Sequence, residues 1–194
     1  MKIVGLTGGI GSGKTAVLEV FSSKGIPCYE SDKQAKRLMQ EDENLVAQIK
    51  ALFGDKIFKG NQLDRKKLAD LVFKDKSKLK SLNAIVHPAV QRDFQLFLSE
   101  QDAPYVVKEA AILFETGGAD TCDAVILITA PESMRLERVM QRQNTDIDGI
   151  RNRMNHQWSD EKKIPLADFV INNINWDKTL ELIDEIHQKL IYSS

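Results

Sequence analysis

Apolar residues along this chain follow two rhythms. Short unbroken runs read as buried strands of a parallel sheet: Ile3-Val4-Gly5-Leu6, Ile26-Pro27-Cys28-Tyr29, Tyr105-Val106-Val107, Ala124-Val125-Ile126-Leu127-Ile128-Thr129 and Asp168-Phe169-Val170-Ile171. Elsewhere apolar residues recur every three or four positions, the period of a helix. Val17, Leu18 and Phe21 place a helix from Lys14 to near Lys24, with Gly25 as the residue that ends it. Ser31-Asp32-Lys33-Gln34 matches a capping box, which makes Ser31 an N-cap and puts Asp32 in a first helical turn. Leu45, Ile49, Leu52 and Phe53 precede Gly54 as a helix with its C-cap, and Asp64 caps a helix carrying Leu68, Leu71 and Val72. Leu79, Leu82, Val86, Val90, Phe94 and Phe97 form a longer pattern that Pro88 is expected to kink or interrupt. Pro131 suits the first position of another helix. Leu180, Ile183, Ile186 and Leu190 make a closing amphipathic helix capped by Asp177.

The spacing divides the chain into a core sheet formed by 1–31, 100–130 and 164–194, a helical insertion over 32–99 and a helical segment over 131–163. The fold class is α/β, a parallel sheet flanked by helices.

Chemistry concentrates where the first strand meets the first helix. Gly8-Gly9-Ile10-Gly11-Ser12-Gly13-Lys14-Thr15 is a G-x-x-x-x-G-K-[ST] motif between strand and helix. Glycines let backbone N–H groups turn around a phosphate, and the helix N-terminus adds its dipole. Gly9, Ile10, Gly11, Ser12 and Gly13 form the cradle, Lys14 reaches the β- and γ-phosphates, and the Thr15 hydroxyl suits Mg²⁺. Gly11 to Ala16 also fits the looser dinucleotide pattern, with Asp32 at a distance suited to a ribose. Asp32 stands either in the ligand crevice or simply at a helix dipole. Glu109 follows the Tyr105-Val106-Val107 run, where phosphoryl-transfer proteins hold Mg²⁺. Arg135, Arg138 and Arg142 share one helical face. They suit either a salt-bridged surface or a lid that closes over phosphates.

Composition narrows the classes. Of 194 residues, 42% are hydrophobic, enough for a core, and a net charge of −1 argues against a whole-molecule nucleic-acid binder. Cys28 and Cys122 are the only cysteines and form no metal motif with the three histidines. No signal peptide or membrane-length apolar run is expected, so the expected compartment is the cytoplasm. The stretch from Lys56 to Lys80 is rich in lysine, which suits a solvated face or attraction of an anionic second substrate.

The ordered series of motifs resembles dephospho-CoA kinase, a family of P-loop kinases, over nearly the whole chain. The series runs from the glycine loop through Ser31-Asp32, Leu63-Asp64-Arg65, Val86-His87-Pro88 and Ile112-Leu113-Phe114-Glu115. It ends with Arg142, Arg153 with Gln157, and Ala167-Asp168-Phe169-Val170-Ile171 with Asn173. Ala111, Glu109 and Glu30 depart from residues usual in the family. The resemblance implies a P-loop NTPase-type core, a substrate-binding insertion and a lid. ATP, with Mg²⁺, would phosphorylate the 3′-hydroxyl of dephospho-CoA. It implies Asp32 as base, Lys14 and Arg142 as phosphoryl stabilisers, Asn173 at the adenine, and Arg65, His87 and Leu113 toward the acceptor. A monomer or weak homo-oligomer with no nucleic-acid or membrane partner is expected. A kinase for another small acceptor and a nucleotide-binding regulatory module stay open.

Overall fold

The computed structural model describes residues 1–60, 62–73, 75–142, 147–155 and 157–192, without the side chains at 73, 142, 147, 148, 152 and 153. The chain forms two compact units, Met1–Glu30 with Gln101–Ser194, and Ser31–Glu100. It opens in the first unit with strand β1 (Lys2–Gly8), helix α1 (Lys14–Ser23) and strand β2 (Cys28–Glu30).

The second unit follows: α2 (Ser31–Glu41), α3 (Glu43–Phe53), the strands β3 (Phe58–Lys59) and β4 (Gln62–Leu63), α4 (Arg65–Phe73) and α5 (Lys76–Ser99). Its core gathers Leu45, Ile49, Phe58, Leu68, Leu82 and Val86. Aspartates start three of its helices. Asp42 accepts from Leu45 N–H at 2.8 Å, Asp64 from Lys67 N–H at 3.2 Å and Asp75 from Ser77 N–H at 2.9 Å.

Four sequence expectations change here. β3 and β4 form an antiparallel hairpin, Phe58 opposite Leu63, where only helices were expected. Two residues per strand are too few to show an alternating pattern. The capping box does not form: Ser31 is already the first helical residue, and its buried hydroxyl has no hydrogen-bond partner among the described residues. Gln34 accepts instead from Arg37 Nε at 2.7 Å. Pro88 does not interrupt α5, which runs continuously and packs against α2, α3 and α4. Packing over 24 residues outweighs the single hydrogen bond a proline removes. Leu52 lies on the outer side of α3, 49% exposed.

The chain returns to the first unit with β5 (Tyr105–Glu109), β6 (Ala124–Thr129), α6 (Glu132–Arg142), α7 (Ile147–Met154), α8 (Asp160–Lys163), β7 (Phe169–Asn172) and α9 (Trp176–Tyr192). The sheet order is β2-β5-β1-β6-β7, and all its pairings are parallel. The central strands β1, β5 and β6 are buried on both faces, which is why they read as unbroken apolar runs, whereas Val170 of β7 is exposed. On one face Val4, Leu6, Ile126 and Ile128 meet Val17 and Phe21 of α1 and Ile183 and Ile186 of α9. A smaller cluster gathers Leu113, Phe114 and Val125.

Some boundaries shift. Glu109 is the last residue of β5 and does not lie beyond it. Pro131 lies one place before α6, its C=O accepting from Arg135 N–H at 3.0 Å. Asn175 caps α9 in place of Asp177: its side chain accepts from Lys178 N–H at 3.0 Å, while Asp177 already stands inside the first turn. Among the described residues no helix is long and apolar enough to cross a membrane.

Candidate functional site

The carboxyl end of β1 lies between β5 and β6, a position where open parallel sheets bind ligands. The glycine loop leaves from that end. Gly11 and Gly13 take φ of +80° and +100°, a region that favours glycine. A Cβ at Gly13 would also stand 2.2 Å from Asn173 Nδ2. The loop turns on itself through Ser12 N–H to Gly9 C=O at 3.0 Å, and Val17 N–H reaches Gly13 C=O at 3.2 Å to start α1. The first turn of α1 thus leaves N–H groups aimed out of the loop, as an anion needs.

Lys14 bends back over this loop. Its Nζ donates to Gly8 C=O at 2.9 Å and lies 4.0 Å from Glu109 Oε1. Both side chains are largely buried, at 12% and 11% exposed. Thr15 is exposed in the first turn of α1. The Thr15 hydroxyl and the Glu109 carboxylate are hard oxygen donors of the kind Mg²⁺ takes together with water and phosphate.

The arginine face has a more definite job than either sequence reading gave it. Arg138 donates through Nη2 to Asn173 C=O at 2.9 Å and through Nη1 to Ser12 C=O at 3.4 Å. Arg135 donates from Nε to Ile10 C=O at 3.1 Å and pairs through Nη1 with Asp160 Oδ2 at 3.2 Å. These guanidinium groups hold loop carbonyls. Arg142 ends α6, and its side chain lies outside the described residues, as does that of Arg153. Gln157 adds a bridge: Oε1 accepts from Ile10 N–H and Nε2 donates to Ala111 C=O, both at 2.9 Å. Nearby, Glu115 Oε1 accepts from Trp158 N–H at 2.8 Å and lies 2.9 Å from the fully buried Lys163 ammonium. That second contact is an ion pair by distance, its angles falling outside hydrogen-bond geometry.

Asn173 is buried with its amide in use: Nδ2 donates to Ser12 C=O at 2.8 Å, and Oδ1 accepts from Thr179 Oγ1 at 3.1 Å. It lines a cavity of about 260 Å³ with Gly13, Ala16, Arg138, Gln141 and Trp176. Trp176 is 41% exposed and offers an aromatic wall. Leu113 is only 1% exposed and packs with Phe114 and Val125, so it offers packing and no open surface.

Three expected site residues belong to the second unit. Asp32 is in the first turn of α2, where the helix dipole favours a carboxylate. Arg65 starts α4 and donates to Lys36 C=O at 3.1 Å. His87 is exposed on α5, and desolvation by the surrounding protein lowers its pKa. The sequence missed Arg135, Arg138 and Asp160 as supports of the loop. The arginine spacing found the right helix face; nothing near Asp160 announced its partner.

A family model, dephospho-CoA kinase, matches residues 2–178. The chain belongs to the dephospho-CoA kinase family. It is 35% identical over 195 residues to a dephospho-CoA kinase of Mannheimia succiniciproducens, covering 97% of this chain and 91% of that one. A solved structure from Thermus thermophilus is similar at a TM-score of 0.90 and 36% identity, covering 96% of each chain. The dephospho-CoA kinase from Campylobacter jejuni is similar at 0.70 and 27%, covering 98% of each. Family membership sets aside the dinucleotide reading of Gly11 to Ala16. A dephospho-CoA kinase uses this P-loop fold for phosphoryl transfer, and Lys14 lies beside both the glycine loop and Glu109 in it.

Proposed function

We propose that this chain transfers the γ-phosphoryl group of ATP to the 3′-hydroxyl of dephospho-CoA, giving coenzyme A and ADP, the last step of CoA biosynthesis. The observation that carries the reading is a fully built phosphate loop, with Lys14 held at it, in a member of this family. Phosphoryl transfer asks a protein mainly for positioning and charge. The loop N–H groups hold the phosphates, and the Lys14 ammonium faces the charge that develops as the γ-phosphoryl leaves. Arg142 adds a second cation in this scheme. Asp32 accepts the proton of the ribose hydroxyl. The cavity beside Gly13 takes the purine against Trp176, and Asn173 shapes it. Arg65 and His87 contribute to the acceptor. Thr15 and Glu109 hold Mg²⁺, which neutralises phosphate charge when bound. The proposal includes the cytoplasm as compartment.

The test is ADP release with dephospho-CoA and with a panel of nucleosides and nucleotides, on the parent and on Lys14→Ala. ADP should form in step with coenzyme A, with dephospho-CoA preferred. Lys14→Ala should lose at least about two orders of magnitude in turnover, the scale of one preorganised electrostatic contact. Preference for another acceptor would overturn the substrate, and near-parental turnover of Lys14→Ala would overturn the site.

A further inference from the structure

Both backbone polar groups of Ile10 are gripped by side chains more than a hundred residues away. The N–H donates to Gln157 Oε1 at 2.9 Å, and the C=O accepts from Arg135 Nε at 3.1 Å. Neither grip is loose. Gln157 is tied by Nε2 to Ala111 C=O at 2.9 Å, in the turn after β5. Arg135 is tied to Asp160 at 3.2 Å, with the two side chains only 12% and 17% exposed. The guanidinium also closes over Gly9, where a Cβ would lie 2.5 Å from its Cζ.

We infer that Gln157, Arg135 and Asp160 are positioning residues for phosphoryl transfer, a clamp that sets the Ile10 backbone and so the shape of the phosphate loop. The inference rests on the nucleotide-binding reading of that loop. Glycine-rich backbone has little shape preference of its own, so an unclamped loop would be ordered at the expense of ligand affinity. A clamp from outside fixes its N–H groups before the phosphate arrives, which is what electrostatic preorganisation requires. Asp160 acts through Arg135 by fixing the direction of the fork. Gln157 suits its place because an amide both accepts and donates.

The experiment compares the parent with Arg135→Gln, Asp160→Asn, Gln157→Ala and the double variant Arg135→Gln with Asp160→Asn. Calorimetry reads affinity for ADP and for a non-hydrolysable ATP analogue, with Mg²⁺ present. Thermal melting confirms that each protein is folded at the assay temperature, and kinetics separate KM for ATP from KM for dephospho-CoA. Nucleotide affinity should fall about tenfold in Arg135→Gln and in Gln157→Ala, the scale of a lost hydrogen bond to a charged or buried group. The double variant should be no weaker than Arg135→Gln alone, because Asp160 works through Arg135. KM for dephospho-CoA should stay within about twofold, since apart from the Ala111 C=O that anchors Gln157 the clamp touches only the nucleotide loop. Nucleotide affinity within about twofold of the parent in both Arg135→Gln and Gln157→Ala would overturn the clamp. So would equal losses for both substrates tracking a smaller folded fraction. A parent that binds nucleotide but leaves dephospho-CoA unmodified would remove the proposed reaction, while the calorimetry would still decide the clamp.

Discussion

A ribose hydroxyl is a poor nucleophile at neutral pH, so transfer to it gains from a carboxylate that takes its proton. Asp32 stands in the first turn of α2, an end of the helix that suits a negatively charged side chain. Asp32→Asn keeps the shape and loses the proton acceptor. It should fold and bind ATP like the parent, while turnover with dephospho-CoA falls by roughly 10²–10⁴-fold. If Asp32 served only the helix dipole, the substitution would cost about 0.3–1 kcal/mol of stability and leave turnover intact. Steady-state kinetics and melting on this one pair of proteins tell the two roles apart. Asn173 makes a different point at the same scale. Its amide holds Ser12 C=O and the Thr179 hydroxyl, so its influence on a base in the cavity is exerted through the shape it imposes.

Among elements, α5 is the informative one. Its periodicity was legible, yet Pro88 argued for a kink or an interruption, and the helix is not interrupted. The helix survives because Leu82, Val86, Ala89 and Phe94 bury one face along its length, and Asp75 satisfies two of its first N–H groups. Removing that cap should be felt throughout the helical unit. Asp75→Ala should lower stability by about 1 kcal/mol, within the range for lost aspartate caps. Urea denaturation followed by helical circular dichroism checks this, and an unchanged midpoint would remove the capping role. β3 and β4 teach the opposite lesson: too short to show a pattern, they exist because Phe58 and Leu63 are buried with the surrounding helices.

For the whole molecule, four of the groups whose pKa the fold shifts bear on a pH window of stability. Burial first, then the Glu30 carboxylate, pushes the Cys28 thiol from 9.0 up to about 11. Burial drives the Tyr105 phenol well above its ordinary value. Desolvation lowers His87 and His187, and His187 Nδ1 lies 2.6 Å from the Tyr105 hydroxyl, where a neutral ring serves as acceptor. Raised acids lose their stabilising contribution as pH climbs, and histidines with lowered pKa lose theirs as pH falls through the folded values. Stability should therefore be highest between the ordinary histidine and thiol pKa values, 6.5 and 9.0. Between pH 9.0 and about 11 Cys28 alone should remove about 2–3 kcal/mol. Cys28→Ala should shallow that alkaline decline without abolishing it, since Tyr105 remains. Urea midpoints measured across the alkaline range decide it, and an equally steep decline in the variant would clear the thiol.

The parallel strands, the glycine loop and most helices were legible because their signals are local. An unbroken apolar run, a 3.6-residue period and a glycine-lysine-threonine spacing each report on neighbours a few residues away. The order of short motifs also pointed to the family, which the family match then showed. What was not legible depended on partners far along the chain. Ser31 fits a capping box in sequence, but its helix begins directly after β2 and leaves no capping position. Leu113 sits in a motif-rich stretch, and only folding reveals that Val125 and Phe114 enclose it. Arg135 read as part of a salt-bridged face or a lid, Gln157 only as one residue of a motif series, and Asp160 carried no signal. Tertiary structure brings them onto Ile10 and Gly9, because a glycine loop has too little conformational preference to hold its own shape and must take it from side chains that close over it.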